Sequence, residues 1–369
     1  EDFAFPVDQP SVSYRMVVAL AYGSLAVCGL LANMLFCVVV LRCRKLHTVT
    51  HILMSNLAAS NVLFLLFHPA YFINTFILEE SWRFGTFLCK MSFSISYLTA
   101  TGSFYLMCLV AVDRWLAIFS RKRRLDQRKC LILIVIAWFI SFLVALPYMY
   151  LSTLVPLGAN VSIELSNHTH WTTNGLPADD HRMRCGCETP HWLKQLLFST
   201  IFVQYVMPLL VMVPTYAHLA VFLWRRPTVG VQSREKMKKQ MRRRRRLLAT
   251  LLAIVGFLIA CWLPLFAVNI LISLHLVAYQ TSLALYIYTS MVTILGVLAT
   301  PICYLMNDVF RQQTLSLLSR LVPGWNYGSA GAGTCNAKAR SESTNANGQR
   351  LLTDAPPSRI ACGSEEDSR

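Results

Sequence analysis

Charge is scarce in this sequence. Only 14% of its 369 residues are Asp, Glu, Lys or Arg, against roughly a quarter in an ordinary soluble domain. Spread through a chain that is 55% hydrophobic, so little charge argues against a string of soluble domains. Before the C-terminal tail, no long small-polar or Pro/Gly-rich stretch separates the apolar segments, so one domain with a tail is expected. No group of Cys, His and carboxylate residues has metal-ligand spacing, and no Ser/His/Asp set suggests a hydrolase. The expectation is therefore a protein that is not an enzyme, with no metal and no cofactor.

What the sequence does contain is apolar length. Uninterrupted apolar runs lie near 16–41, 49–77, 86–119, 130–154, 193–224, 247–275 and 283–306, each about long enough to cross a hydrocarbon core. Seven such runs predict an all-α membrane protein. Within them, formal charge is confined to Lys90 and Lys194 near one face and the adjacent Asp113 and Arg114 near the other. Charge at membrane depth is costly and usually serves a function.

The basic residues set the expected topology. Arg42, Arg44 and Lys45 follow span 1, six Lys or Arg follow span 3, and eleven follow span 5, ending in five consecutive Arg at 242–246. By the positive-inside rule these loops are cytosolic, the N-terminus is extracellular and the C-terminus is inside. The opposite face carries six basic and nine acidic residues. The net charge of +16 therefore belongs to a cytosolic surface that meets anionic membrane lipids, and nucleic acid is not needed to explain it. Asn160 and Asn167 head Asn-x-Ser/Thr acceptors for glycosylation, and both fall in the loop that charge alone places outside. Of the twelve Cys, only Cys89, Cys185 and Cys187 are expected there. Three leave one over, so a single bridge from Cys89 to the long loop is expected, with Cys187 ahead of Cys185. The other nine read as small apolar packing residues or tail thiols.

The domain boundaries that follow are an extracellular N-terminus at 1–15, a seven-span bundle at 16–306, an amphipathic helix on the inner surface at 307–321 and a disordered cytoplasmic tail at 322–369. Because the sequence starts at Glu1, a leader or N-terminal segment preceding it is an open expectation.

Several motifs in order complete the pattern. They are Asn33 in span 1, Leu57-Ala58 in span 2, Asp113-Arg114-Trp115 ending span 3, Trp138 in span 4, Pro208 and Tyr216 in span 5, Cys261-Trp262-Leu263-Pro264 in span 6, and Thr300-Pro301-Ile302-Cys303-Tyr304 ending span 7. In these the chain resembles the rhodopsin-like (class A) G-protein-coupled receptors over residues 16 to about 321. Subgroup cues, such as Trp82-Arg83-Phe84-Gly85 before Cys89 and Trp115 in place of the commoner Tyr, resemble the orexin, neuropeptide FF and cholecystokinin receptor group.

The resemblance implies a plasma-membrane receptor that passes extracellular binding, most simply of a peptide, to a heterotrimeric G protein. Arrestin is a further partner through tail sites such as Ser341, Ser343 and Thr344. It implies that Cys89 bridges to Cys187 and that Asp113, Arg114, Tyr216, Pro264, Pro301 and Tyr304 carry activation. Physically, Arg114 paired with Asp113 is an exchangeable ion pair, and Pro264 and Pro301 are helix pivots. The expected ligand pocket comprises Tyr71, Phe72, Ser96, Tyr97, Gln204, Trp262, Phe266, Asn269 and Tyr286. Ser96 stands where amine receptors place an Asp, and residues 283–306 contain no Lys for a retinal Schiff base, so amine and light sensing are excluded. A lipid ligand and a non-signalling binding protein of the same fold are the alternatives. His68 and His218 read as hydrogen-bonded core residues.

Two departures from the family pattern stand out. Asn61 and Thr300 replace acidic or amide positions of its sodium pocket, which predicts that sodium does not modulate this chain. The basic cluster at 242–246 leaves span 6 without an acid to hold Arg114, which predicts raised ligand-independent output.

Overall fold

The computed structural model describes residues 11–78, 81–120, 125–156, 183–187, 190, 192–225, 234–274, 276, 279–304 and 308–321. Asn160, Asn167 and the tail lie outside the described residues, as do the side chains of Cys187, Thr300, Tyr304 and the arginines at 242–246.

Helices begin where side chains can occupy free backbone N–H groups. Ser11 caps α1 (Val12–Arg42) by accepting from the Tyr14 N–H at 3.3 Å. Thr48 caps α2 (Val49–Phe72), and Asp126 caps α4 (Gln127–Leu151) through the Lys129 N–H at 2.8 Å. Each oxygen satisfies a donor that has no intrahelical partner. Before α3 (Gly85–Phe119) the chain turns through Gly85 at φ 76°, a left-handed conformation open to glycine. Two wide π turns interrupt the regular geometry, Ile73–Leu78 extending α2 and Phe202–Val206 between α5 (Leu193–Ile201) and α6 (Met207–Arg225). Pro69 precedes the first by four residues and Pro208 follows the second by two. A proline ring displaces the carbonyl four residues back, which for Pro208 is that of Gln204 within the second turn, where the widened geometry accommodates it. Pro264 and Pro301 lie inside α7 (Arg234–Ser273) and α8 (Tyr279–Tyr304). A last helix, α9, covers Asp308–Leu321, the stretch expected to be amphipathic.

Among the described residues, six helical segments are long and apolar enough to cross a membrane, and α8 adds a shorter apolar stretch at Ala284–Leu298. The share of each span buried in the protein locates it in the bundle. It is 61% for α3 and 28% for α4, so α3 is central and α4 peripheral. On α4, Leu131, Ile132, Val135 and Phe139 are exposed, as helices facing hydrocarbon require. Between helices, small polar groups make the close contacts. Ser103 donates to Ser60 at 3.2 Å, Ser60 donates to the Thr99 carbonyl at 3.0 Å, and Asn61 donates to Asn33 at 3.0 Å. Gly296 brings α8 so near α7 that a Cβ there would lie 2.8 Å from the Cys261 Cβ.

Span 4 is shorter than its apolar run. The helix stops at Leu151, and Ser152–Pro156 forms a strand, β1, paired antiparallel with β2 (Met183–Cys187). Residues 152–154, expected as the end of span 4, thus belong to a strand rather than a membrane helix, because their backbone groups pair with β2. Two further expectations change. His218 is exposed on α6 rather than in the core. Cys43, expected as a packing residue, is disulfide-bonded at the end of α1.

Candidate functional site

A cavity of about 370 Å³ opens among α1, α2, α3, α7, α8 and the Phe202–Val206 turn. Its deep wall is aromatic. Trp262 and Phe266 of α7 stack at 5.9 Å, and the Phe104 ring meets Trp262 at 5.8 Å. Burying rings edge to face and offset is favourable and rigid. Towards α4, Tyr97 lies flat on Tyr148 at 3.5 Å, and the Tyr148 hydroxyl donates to Thr200 at 2.9 Å. The polar lining consists of His68, Ser96, Gln204, Asn269, Ser290 and Thr293 with the tyrosines, and no Asp, Glu, Lys or Arg contributes among the described residues. Asn269 donates to the Leu265 carbonyl at 2.9 Å, and Thr293 donates to the Cys261 carbonyl at 3.3 Å, linking α8 to the turn of α7 that precedes Pro264.

The hairpin is joined to this end of the bundle. Cys89 at the start of α3 is bonded to Cys185 of β2, with Cα atoms 5.5 Å apart. Trp82 is buried beneath it, donating from the indole to the Gly85 carbonyl at 2.9 Å and from its backbone N–H to the Met183 carbonyl at 2.7 Å. Tyr71, Trp82, Cys89 and Cys185 form one cluster. The expected partner Cys187 is therefore corrected to Cys185. Cys89 can form only one such bond, and Cys187 lies two residues, about 6.6 Å, further along the strand.

At the opposite end of α3, Arg114 Nη2 lies 2.5 Å from Asp113 Oδ2. Thr50 of α2 completes the arrangement, donating to the same carboxylate oxygen at 2.8 Å and contacting the guanidinium. Asp113 is buried and Arg114 half-buried. A buried carboxylate needs such partners, since losing one leaves charge uncompensated. Tyr216 is buried nearby in the core, and its hydroxyl has no hydrogen-bond partner among the described residues.

A family profile described as 7 transmembrane receptor (rhodopsin family) matches residues 32–304. The chain belongs to that family. It is a multi-pass membrane protein with a seven-helix bundle and is not an enzyme. Among its relatives, neuropeptide receptor 22 of Caenorhabditis elegans is 25% identical over 262 residues, which cover 69% of this chain and 57% of the relative. Prokineticin receptor 2 of Rattus norvegicus is 26% identical over 73% of this chain and 69% of its own length. The RYamide receptor of Drosophila melanogaster is 26% identical over 71% of this chain and 54% of its own. The chain thus spans little more than half the length of two of these relatives.

Eight of the nine expected pocket residues line this cavity: Tyr71, Ser96, Tyr97, Gln204, Trp262, Phe266, Asn269 and Tyr286. Phe72 does not. It is fully buried behind the wall, stacked on Tyr22 at 4.7 Å and packed against Phe76 at 5.5 Å, because the face of α2 that carries it turns towards α1. Sequence reasoning missed Tyr22, Phe64, Phe76, Ser290 and Thr293, and His68, read as a hydrogen-bonded core residue, is buried and bonded to Ser96 as read but also forms part of the cavity wall. A signal existed for His68, which lies three residues before Tyr71 on one helical face. The family's sodium site is here an amide pair, Asn61 to Asn33, with no carboxylate among the described residues.

Proposed function

We propose that this protein is a plasma-membrane receptor, N-terminus outside, whose cavity binds part of an extracellular peptide and whose bundle passes that binding to a heterotrimeric G protein. The observation carrying this reading is the match to the rhodopsin receptor family over 32–304, together with relatives whose names are those of peptide receptors. The placement of the cavity supports it. The cavity lies at the end of α3 that carries Cys89, beneath the Cys89–Cys185 hairpin, which charge distribution puts outside. The Asp113, Arg114 and Thr50 arrangement lies at the other end, on the face whose loops are basic.

A ligand that packs better against an open bundle shifts the population towards it. Trp262 lines the cavity two residues before Pro264, so ligand contact acts where α7 bends. Opening would separate Arg114 from Asp113 and bring it to Tyr216 and Tyr304. Arrestin and membrane lipids are proposed partners of the tail and of the basic face.

The test is calcium and cyclic AMP output in cells with confirmed surface expression, challenged with amidated neuropeptides and compared with Arg114→Ala. One peptide family should give a response that the variant loses. Silence across the panel at high surface expression would remove the peptide reading.

A further inference from the structure

We infer that the cavity selects an uncharged ligand group bearing a hydrogen-bond donor, a primary carboxamide or a phenol, and that His68 is the residue that reads it. This rests on the receptor reading above and names the chemistry of the ligand end that enters.

His68 is only 8% exposed, and its ring is fixed on both sides, stacked with Phe64 at 4.5 Å and with Phe72 at 5.5 Å. Its Nδ1 lies 2.8 Å from the Ser96 hydroxyl of α3. The same hydroxyl lies 3.2 Å from the Ser92 carbonyl, and with its single proton assigned there it accepts from His68, so that Nδ1 carries the ring proton. Among the described residues no carboxylate lines the cavity to hold an imidazolium, so the ring is neutral and Nε2 keeps its lone pair. Nε2 is not among the sealed-off polar atoms, and no protein group among the described residues bonds it. An acceptor open to the cavity is hydrated in the free protein, and a ligand that displaces this water without donating leaves it unpaired, which is costly.

The cavity is thus selective twice. A carboxylate or ammonium would be buried without a counter-charge, and a carboxylate would in addition face the Nε2 lone pair. A carboxamide avoids both penalties, and its phenyl or phenol neighbour would meet the aromatic wall of Trp262 and Phe266. At about 370 Å³ the cavity is near the low end for small-molecule sites, roughly 300–1,000 Å³, and admits a peptide's end rather than its length.

The experiment uses purified full-length protein in detergent and three probes that differ in one group: N-acetyl-phenylalanine carboxamide, methyl ester and free acid. Binding is read by thermal stabilisation across a concentration series. The amide should bind about tenfold more tightly than the ester, and the acid weakest. In His68→Phe, which keeps a stacked ring, amide and ester should become equal. If that variant fails to fold, His68→Gln, whose amide oxygen can accept in the same region, should retain the amide preference. Ester equal to amide in the native protein, acid binding as well as either, or no stabilisation by the amide would each overturn the inference. Because the readout needs no G protein, amide-selective binding in a protein silent in cells would fault the signalling reading alone.

Discussion

The Trp115 indole N–H donates to Nδ1 of His218 across 3.0 Å, and the Phe119 ring lies on the same imidazole at 4.4 Å with planes 8° apart. Phe222 packs on Phe119 at 4.4 Å, so α3 and α6 are tied at the end of the bundle away from the cavity. A neutral hydrogen bond of this kind contributes about 1 kcal/mol. Trp115→Phe keeps a ring and removes the donor, and should lower the melting temperature of the purified protein. In a cycle with His218→Phe, the coupling should be about 0.5–1.5 kcal/mol, and a coupling below about 0.3 kcal/mol would mean that the contact is idle.

Thr50 is the third member of the Arg114 arrangement and the one whose role is separable. Its hydroxyl gives the buried Asp113 carboxylate a 2.8 Å bond that Thr50→Val removes with little change in shape. Hydrogen bonds to charged groups contribute about 1.5–3 kcal/mol, so the pair should loosen. If separation of Arg114 from Asp113 accompanies signalling, basal second-messenger output should rise at matched surface expression. Unchanged output together with reduced thermal stability would assign Thr50 a purely structural part.

The reach of the sequence follows the kind of interaction involved. Spans, their order and the α9 segment were legible because apolar length is a local property of the chain. The boundary at Leu151 was not, since Leu154 and Val155 prolong the apolar run, and Ser152–Pro156 becomes a strand only through pairing with Met183–Cys187. Pocket residues were legible where motif and position coincide, as at Trp262 and Phe266. Phe72 was misplaced, and the cavity-facing side of His68 went unread, because an apolar helix gives no hydrophobic face from which to read rotation, and only tertiary packing decides which side turns to the cavity. Thr50 was missed for a related reason, lying 64 residues from the arginine it contacts.

Gly296 is required by distance rather than by backbone angle. A Cβ there would approach the Cys261 Cβ to 2.8 Å, and both atoms belong to helix positions that cannot swing aside. Gly296→Ala should therefore destabilise the protein by about 1–3 kcal/mol, an overpacking cost, by pushing α8 from α7. Adding Cys261→Gly removes the opposing atom and should restore part of the loss. Equal melting temperatures for Gly296→Ala and the native protein would show that the helices part freely.

The neutral mid-bundle site makes the sharpest ionic prediction. Asn61 donates to Asn33 Oδ1 at 3.0 Å, and Asn33 in turn donates to the Gly29 carbonyl at 2.8 Å, so these amides satisfy one another without a cation. A sodium ion there would meet carbonyl and hydroxyl dipoles but no opposite charge among the described residues, and burying an uncompensated ion is costly. Agonist affinity should hence be the same in sodium and in choline at constant ionic strength. Asn61→Asp supplies the missing charge but also removes the amide that donates to Asn33, so it should create sodium sensitivity at some cost in stability. A marked fall in affinity on exchanging choline for sodium in the native protein would sink this account, and it would require a carboxylate to reach the site from elsewhere in the bundle.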